Sequence, residues 1–199
     1  MRLVTYTFRG TTRLGALADG DCVVDLNRAE ALRLARAGSW RAQAAADAAV
    51  PPDMLALLRL GEEGLAAARE ALQFAQEELA RDRAEAAAAG LCFRTDEPGF
   101  RLEAPVPRPG TVLAIGLNYR DHAEETGAPL PEYPMVFTKV ATCIIGPGQP
   151  VIRPRASTAV DWEGELCVVI GRPARGVTAA EAPAYVAGYM VGNDVTVRD

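Results

Sequence analysis

Three carboxylates stand at alternate positions in Asp161-Trp162-Glu163-Gly164-Glu165, and an apolar run, Leu166-Cys167-Val168-Val169-Ile170, follows directly. Read as a strand, this alternation sets Asp161, Glu163 and Glu165 on one face, with neighbours about 6.6 Å apart. The run after them has the composition of a strand buried on both sides. Carboxylates fixed at the mouth of such a strand repel one another and lose water, so something positive should compensate them. Asp194, in Gly192-Asn193-Asp194, follows a second strand candidate and would complete an all-oxygen set with Glu163 and Glu165. Mg²⁺, Mn²⁺ or Ca²⁺ suits three carboxylates, whereas copper or thiolate-bound zinc does not. The bland alternative is a solvated strand face whose acids pair with Arg153 or Arg155, with Asp194 a plain turn residue.

His122 is the only histidine and carries all the imidazole chemistry the chain can offer. If the segment after Leu117 turns helical, His122 and Glu125 share a face at i,i+3. A carboxylate beside an imidazole orients it and raises its basicity, which suits a general base near neutral pH. The competing reading is a surface histidine with an incidental acidic neighbour. Lys139 ends the apolar segment Met135-Val136-Phe137-Thr138 and could bind a substrate carboxylate or complete an ion pair. Spacing leaves both open. No Gly-x-Ser-x-Gly elbow occurs and no cysteine is near His122 in sequence, which disfavours a Ser or Cys hydrolase.

Strands must position these groups. Val112 to Leu117, the 165–170 run and Tyr185 to Val191 read as strands, with a turn cluster at Gly146-Pro147-Gly148-Gln149-Pro150. The first half differs. Leu3 to Phe8, Arg13 to Leu17 and Cys22 to Leu26 are β-prone, separated by turns at Arg9-Gly10-Thr11 and Asp19-Gly20. Asn27 with Glu30 has the spacing of a capping box for a helix stopped at Gly38. Pro51-Pro52-Asp53 opens a helix ending near Gly61, and Glu62 to Ala89 forms one long helix with a Leu65/Leu72/Leu79 stripe. Proline-rich residues from Asp96 to Gly110 read as an extended connector. These patterns predict an α+β chain with a small mixed N-terminal domain over 1–104 and a β-rich part over 105–199.

Bulk properties narrow the partners. Lys+Arg of 21 against Asp+Glu of 26 gives −5 with no basic block, so nucleic acid is not expected. No apolar stretch approaches the roughly 20 residues a bilayer demands, and the start is too polar for a signal peptide, so the cytoplasm is expected. Cys22, Cys92, Cys143 and Cys167 are far apart with no C-x-x-C pair, which fits reduced thiols rather than a zinc site. Cys167 is expected in the core.

Over about 85 residues the chain resembles the fumarylacetoacetate hydrolase family. The matching segments, in family order, are Ile115 to Glu125, Pro134 to Lys139, Ile145-Gly146-Pro147-Gly148, Asp161 to Leu166 and Tyr185 to Asp199. The first hundred or so residues look like the variable N-terminal domain of many bacterial members, a looser match. The resemblance implies a rolled mixed-sheet catalytic core, a homodimer, and a Mg²⁺ or Mn²⁺ site at Glu163, Glu165 and Asp194. His122 and Glu125 match the pair that activates water or moves a proton, and Lys139 matches a position near the substrate. Implied substrates are small 2,4-dioxo acids and related oxo acids, including those of aromatic catabolism. Hydrolysis of a C–C bond is the first reading, with the leaving enolate stabilised by the metal. An isomerase, tautomerase or decarboxylase at the same site, or an inactive module, is the alternative. Family members continue beyond the position of Asp199 with further strands. The resemblance therefore implies an incomplete core with unpaired edges, and leaves the activity of these residues alone open.

Overall fold

Leu3–Phe8 (β1) and Thr11–Leu17 (β2) form a hairpin whose two-residue turn has Arg9 and Gly10 both at positive φ, 49° and 82°. That geometry matches the right-handed twist of the strands it joins. The structure, a computed structural model, describes residues 1–18 and 20–199. Half of the turn expected at Asp19-Gly20 therefore lies outside the described residues. Cys22–Asp25 (β3), Cys92–Arg94 (β4) and Phe100–Leu102 (β5) complete an antiparallel sheet in the order β4-β3-β2-β1-β5. The segment from Asp96 is thus more than a connector, since Phe100 to Leu102 pair with β1.

Five helices fill the sequence between β3 and β4: Leu26–Arg36 (α1), Ala42–Ala49 (α2), Met54–Arg59 (α3), Gly61–Arg81 (α4) and Arg83–Ala88 (α5). Asp25, not Asn27, caps α1, its carboxylate accepting the Arg28 N–H at 3.0 Å. Asn27 lies inside the first turn, buried, and donates to Asp47 and to the Val50 carbonyl, while Glu30 pairs with Arg33. Gly38, at φ 87°, ends the helix as its sequence position predicts. The expected long helix is two, because Asp82 adopts an extended conformation and its side chain caps α5. One face of the sheet meets these helices through Leu14, Ala16, Cys22, Val24, Leu26, Leu57 and the alanines of α4. The other carries Val4, Tyr6, Val23 and Phe93, with Tyr6 stacked on Phe100 at 5.6 Å.

Beyond residue 105 the chain is β-rich, as expected, and built from three two-stranded antiparallel ladders. Val112–Gly116 (β6) pairs with Met135–Lys139 (β7), and the short helix Arg120–Thr126 (α6) sits between them in sequence. Val160–Asp161 (β8) pairs with Thr196–Val197 (β11), and Gly164–Ile170 (β9) with Val186–Asn193 (β10). The 165–170 run is not buried on both sides. Glu165, Cys167 and Val169 face partial cover, while Leu166, Val168 and Ile170 are exposed. A two-stranded ladder covers at most one face, so the alternation of a strand decides which residues are hidden. Cys167 is accordingly half-buried rather than a core residue. The chain is α+β throughout.

Candidate active site

The ends of β9 and β10 gather the chain's candidate chemistry. Register places Glu165 opposite Gly192 and Gly164 opposite Asn193. Just past these pairs, the Asp194 N–H donates to the Glu163 carbonyl at 2.9 Å, and the Glu163 N–H donates to the Asn193 side-chain oxygen at 2.9 Å. Glu163, Glu165 and Asp194 therefore stand on two adjoining strand ends. All three are partly shielded from solvent. Burial pushes the Cys167 thiol up, and the charges of Glu165 and Asp194 push it further, leaving an unreactive thiol beside the acids.

Each carboxylate has its own nitrogen partner. Lys139, at the end of β7, forms an ion pair with Asp194. Arg198 reaches Glu163 at 2.6 Å and Asp161 at 3.1 Å. Asn118 donates its side-chain amide to Glu165 at 3.0 Å. The positive compensation expected from the sequence is thus provided by two cations of the chain itself. Neither Arg153 nor Arg155 is the partner: Arg153 donates to the Ser157 carbonyl. Among the described residues no three Asp, Glu, His or Cys side chains converge tightly enough to hold a metal ion. The donor set still fits a hard divalent cation in its chemistry, being entirely oxygen and drawn from neighbouring strand ends.

The corner between β6 and α6 brings Asn118 to the acidic strand ends. Leu117 takes a left-handed backbone, φ 49°, which a branched side chain rarely adopts. That corner turns the chain so that Asn118 meets Glu165 and α6 begins beside the acidic strand ends. His122 and Glu125 both lie in α6, so the helix and the i,i+3 spacing expected for them are present. His122 is half-buried and its charge bears on Asp161, whose carboxyl is held low mainly by the Trp162 N–H and by Arg198. Glu125 is exposed, and among the described residues no hydrogen bond joins it to His122.

Asn118 and Arg198 are the members that spacing alone did not single out. Arg198 lies four positions after Asp194, and Asn118 stands where a strand gives way to a helix, the only local signals either leaves. Together the residues make an acidic, cation-buttressed rim with one imidazole at its edge.

The family model for the fumarylacetoacetate (FAA) hydrolase C-terminal region matches residues 111–199, which include every group just described. The oxaloacetate tautomerase fahd2, mitochondrial, of Xenopus laevis is 33% identical over 202 residues, covering 100% of this chain and 53% of the relative. A solved 5-carboxymethyl-2-hydroxymuconate delta-isomerase from Mycobacterium smegmatis is 27% identical with a TM-score of 0.59, covering 100% of this chain and 56% of that one. A maleylpyruvate hydrolase from Sphingobium sp. SYK-6, solved in complex with manganese(II) ion and pyruvate, is 28% identical with a TM-score of 0.59 over 100% of this chain and 60% of its own. The chain spans about half the length of the curated relatives it matches. Through residues 111–199 the chain belongs to the fumarylacetoacetate hydrolase family.

Proposed function

We propose that this chain carries the catalytic residues of an enzyme that moves a proton on a small 2-oxo acid, interconverting its enol and keto forms. The observation that carries this reading is the single imidazole, His122, half-buried in α6, the helix that begins two residues after Asn118, itself bonded to Glu165. A proton shift between oxygen and carbon requires one group that both accepts and returns a proton. In this reading the His122 imidazole takes the enol hydroxyl proton, and the imidazolium returns a proton to the adjacent carbon, with no C–C bond broken. In this reading Lys139 and Arg198 position the acid's carboxylate. A hard divalent cation held by Glu163, Glu165 and Asp194 would supply Lewis-acid stabilisation of the charge developing on the substrate oxygens. The likeness to the Xenopus oxaloacetate tautomerase supports the same chemistry.

Hydrolysis of a C–C bond in a 2,4-dioxo acid is the second reading, favoured by the likeness to the Sphingobium maleylpyruvate hydrolase. It asks more of the site, because Glu125 would have to hold the imidazolium while His122 deprotonates a water. We also propose a homodimer in the cytoplasm, the assembly being supported by the apolar strand faces that this chain leaves exposed, Leu113 and Ile115 among them. No described helix is long and apolar enough to cross a membrane.

The test is an enol-absorbance assay with oxaloacetate and acylpyruvates, in Mg²⁺, in Mn²⁺ and in EDTA, with products identified. Loss of the enol band without fragments is expected, and His122→Ala should slow it about 10²- to 10⁴-fold. Stoichiometric fragments would replace tautomerisation by hydrolysis. Wild-type rates in His122→Ala would remove the histidine from the mechanism altogether. Light scattering on the assayed sample reads the mass, and a monomer under active conditions rules out the dimer.

A further inference from the structure

Rings from distant strands of the N-terminal sheet meet on the face turned away from the helices. Phe93 on β4 and Phe8 on β1 are three strands apart in the order β4-β3-β2-β1-β5, a span of about 14 Å in a flat sheet. Their ring centroids nevertheless lie 4.7 Å apart, and Tyr6 is 5.7 Å from Phe93. The sheet therefore curls over this face and makes it concave. A cleft of about 500 Å³ opens there, lined by Tyr6, Phe8, Arg9, Arg13, Arg28 and Phe93. That volume falls within the roughly 300–1,000 Å³ of small-molecule sites.

Three guanidiniums share the cleft, and they are differently committed. Arg13 donates to Asp25 at 2.6 and 3.2 Å, and this fully buried carboxylate also accepts from the Tyr6 hydroxyl at 2.8 Å and the Arg28 N–H at 3.0 Å. The Asp25 charge is thus enclosed in the wall. Arg28 lies 3.6 Å from that carboxylate and over the Phe93 ring at 5.8 Å. Arg9 lies over the Phe8 ring at 5.0 Å, and among the described residues no carboxylate pairs with it. Arg9, Phe8, Phe93 and Arg28 therefore form a series of cation, ring, ring and cation. A guanidinium stacked on a ring keeps its in-plane N–H edge free for a carboxylate. The turn is a second, independent sign. Arg9 holds φ 49° at a hairpin position that favours Asn, Asp or Gly, and strained residues of this kind gather at ligand sites. Glu97 is the other carboxylate of the wall, its side chain accepting the Arg94 N–H at 2.9 Å. A second acidic group on a ligand would be repelled by it, so the cleft favours a single negative charge.

We propose that this cleft binds a small aromatic monocarboxylate, its ring set against Phe8 and Phe93 and its carboxylate held by Arg9. Arg28 adds positive charge from the other end of the series. The aromatic walls supply apolar contact, and the stacked guanidinium supplies charge-assisted N–H donors. Inorganic phosphate would meet the charge and leave the rings unused. A neutral arene would meet the rings and leave the charge unpaired. None of these residues belongs to the candidate active site, so this assignment does not depend on the proposed activity.

The experiment titrates 2-naphthoate into the isotopically labelled chain at low salt and follows the backbone amides by NMR. Saturable shifts are expected from Phe8 to Thr11, at Arg28 and from Phe93 to Glu97. Arg9→Gly gives the turn a residue at ease with positive φ, so it should fold as well as wild type. It should nevertheless raise the dissociation constant for naphthoate about 10- to 100-fold. Arg9→Gln should do the same, which separates the lost charge from any change in the turn. The neutral analogue 2-naphthalenemethanol should bind wild type at least about tenfold more weakly than naphthoate. Absence of a saturable shift up to about 10 mM naphthoate would overturn the proposal. So would undiminished binding by Arg9→Gly, or shifts confined to residues 118–139 and 161–198, which would place the ligand in the candidate active site. Equal binding of inorganic phosphate at the same amides would make the cleft a general anion site and overturn the aromatic assignment.

Discussion

Glu103 ties three separate segments with one carboxylate. It accepts hydrogen bonds from Thr7 at 2.5 Å, from Arg101 at 2.6 Å and from Gln149 at 3.1 Å, joining β1, the end of β5 and the 146–150 turn. Burial works to raise its pKa, but the bonds from Arg101, Thr7 and Gln149, with the Arg101 charge, outweigh burial and hold it below the ordinary Glu range. A folded value below the unfolded one contributes stability that is fully present above the ordinary pKa of about 4.3 and lost as pH falls through the folded value. Denaturant melts should therefore show Glu103→Gln weaker than wild type by about 1–3 kcal/mol at pH 7, with the two proteins converging in acid. Parallel pH curves for the two would refute this account. The same scale shows what single residues disclose. The type and spacing of Glu163, Glu165 and His122 were readable because their chemistry is unusual in such a pattern. Lys139 was readable as a cation but not as the partner of Asp194, since the pairing depends on how one ladder lies beside another. Asn118 was hidden for the same reason.

Elements were legible where local chemistry decides and obscure where tertiary contact does. The β1–β2 hairpin and the stop at Gly38 follow from turn chemistry alone. Asn27 has a real capping spacing, yet Asp25 two residues earlier holds the N–H and the Asn27 amide is needed between Asp47 and Val50. The Glu62–Ala89 periodicity continues through Asp82, so no apolar signal marks the break; only the preference of Asp for a cap does. β5 was absorbed into a proline-rich stretch because three residues are too few to show alternation. The turn at Gly146 is an opposite case, where sequence identified a turn without its reason. A Cβ there would come within 2.8–2.9 Å of the Glu103–Ala104 backbone, so the glycine lets two main chains touch.

At the scale of the molecule, packing is distributed unevenly. Of the buried apolar residues among those described, only Val106 and Ala123 lie beyond residue 105. The β6–β7 and β9–β10 ladders leave Leu113, Ile115, Phe137, Leu166, Val168 and Val191 exposed. Hydrogen exchange should accordingly be slow in β1 to β3 and α4 and fast across 160–198, because protection follows buried apolar contact. Equal protection in the two halves would contradict the packing described. The pairs Lys139–Asp194 and Arg198–Glu163, which hold one ladder to the next, introduce a further asymmetry. At about 1 M salt the Debye length shrinks to about 3 Å, so partly exposed ion pairs weaken while apolar contacts do not. Rising ionic strength should then speed exchange in 160–198 and leave β1 to β3 unchanged. Dissolved salt, to which a packed core is indifferent, becomes a solvent for one half of this chain and not the other.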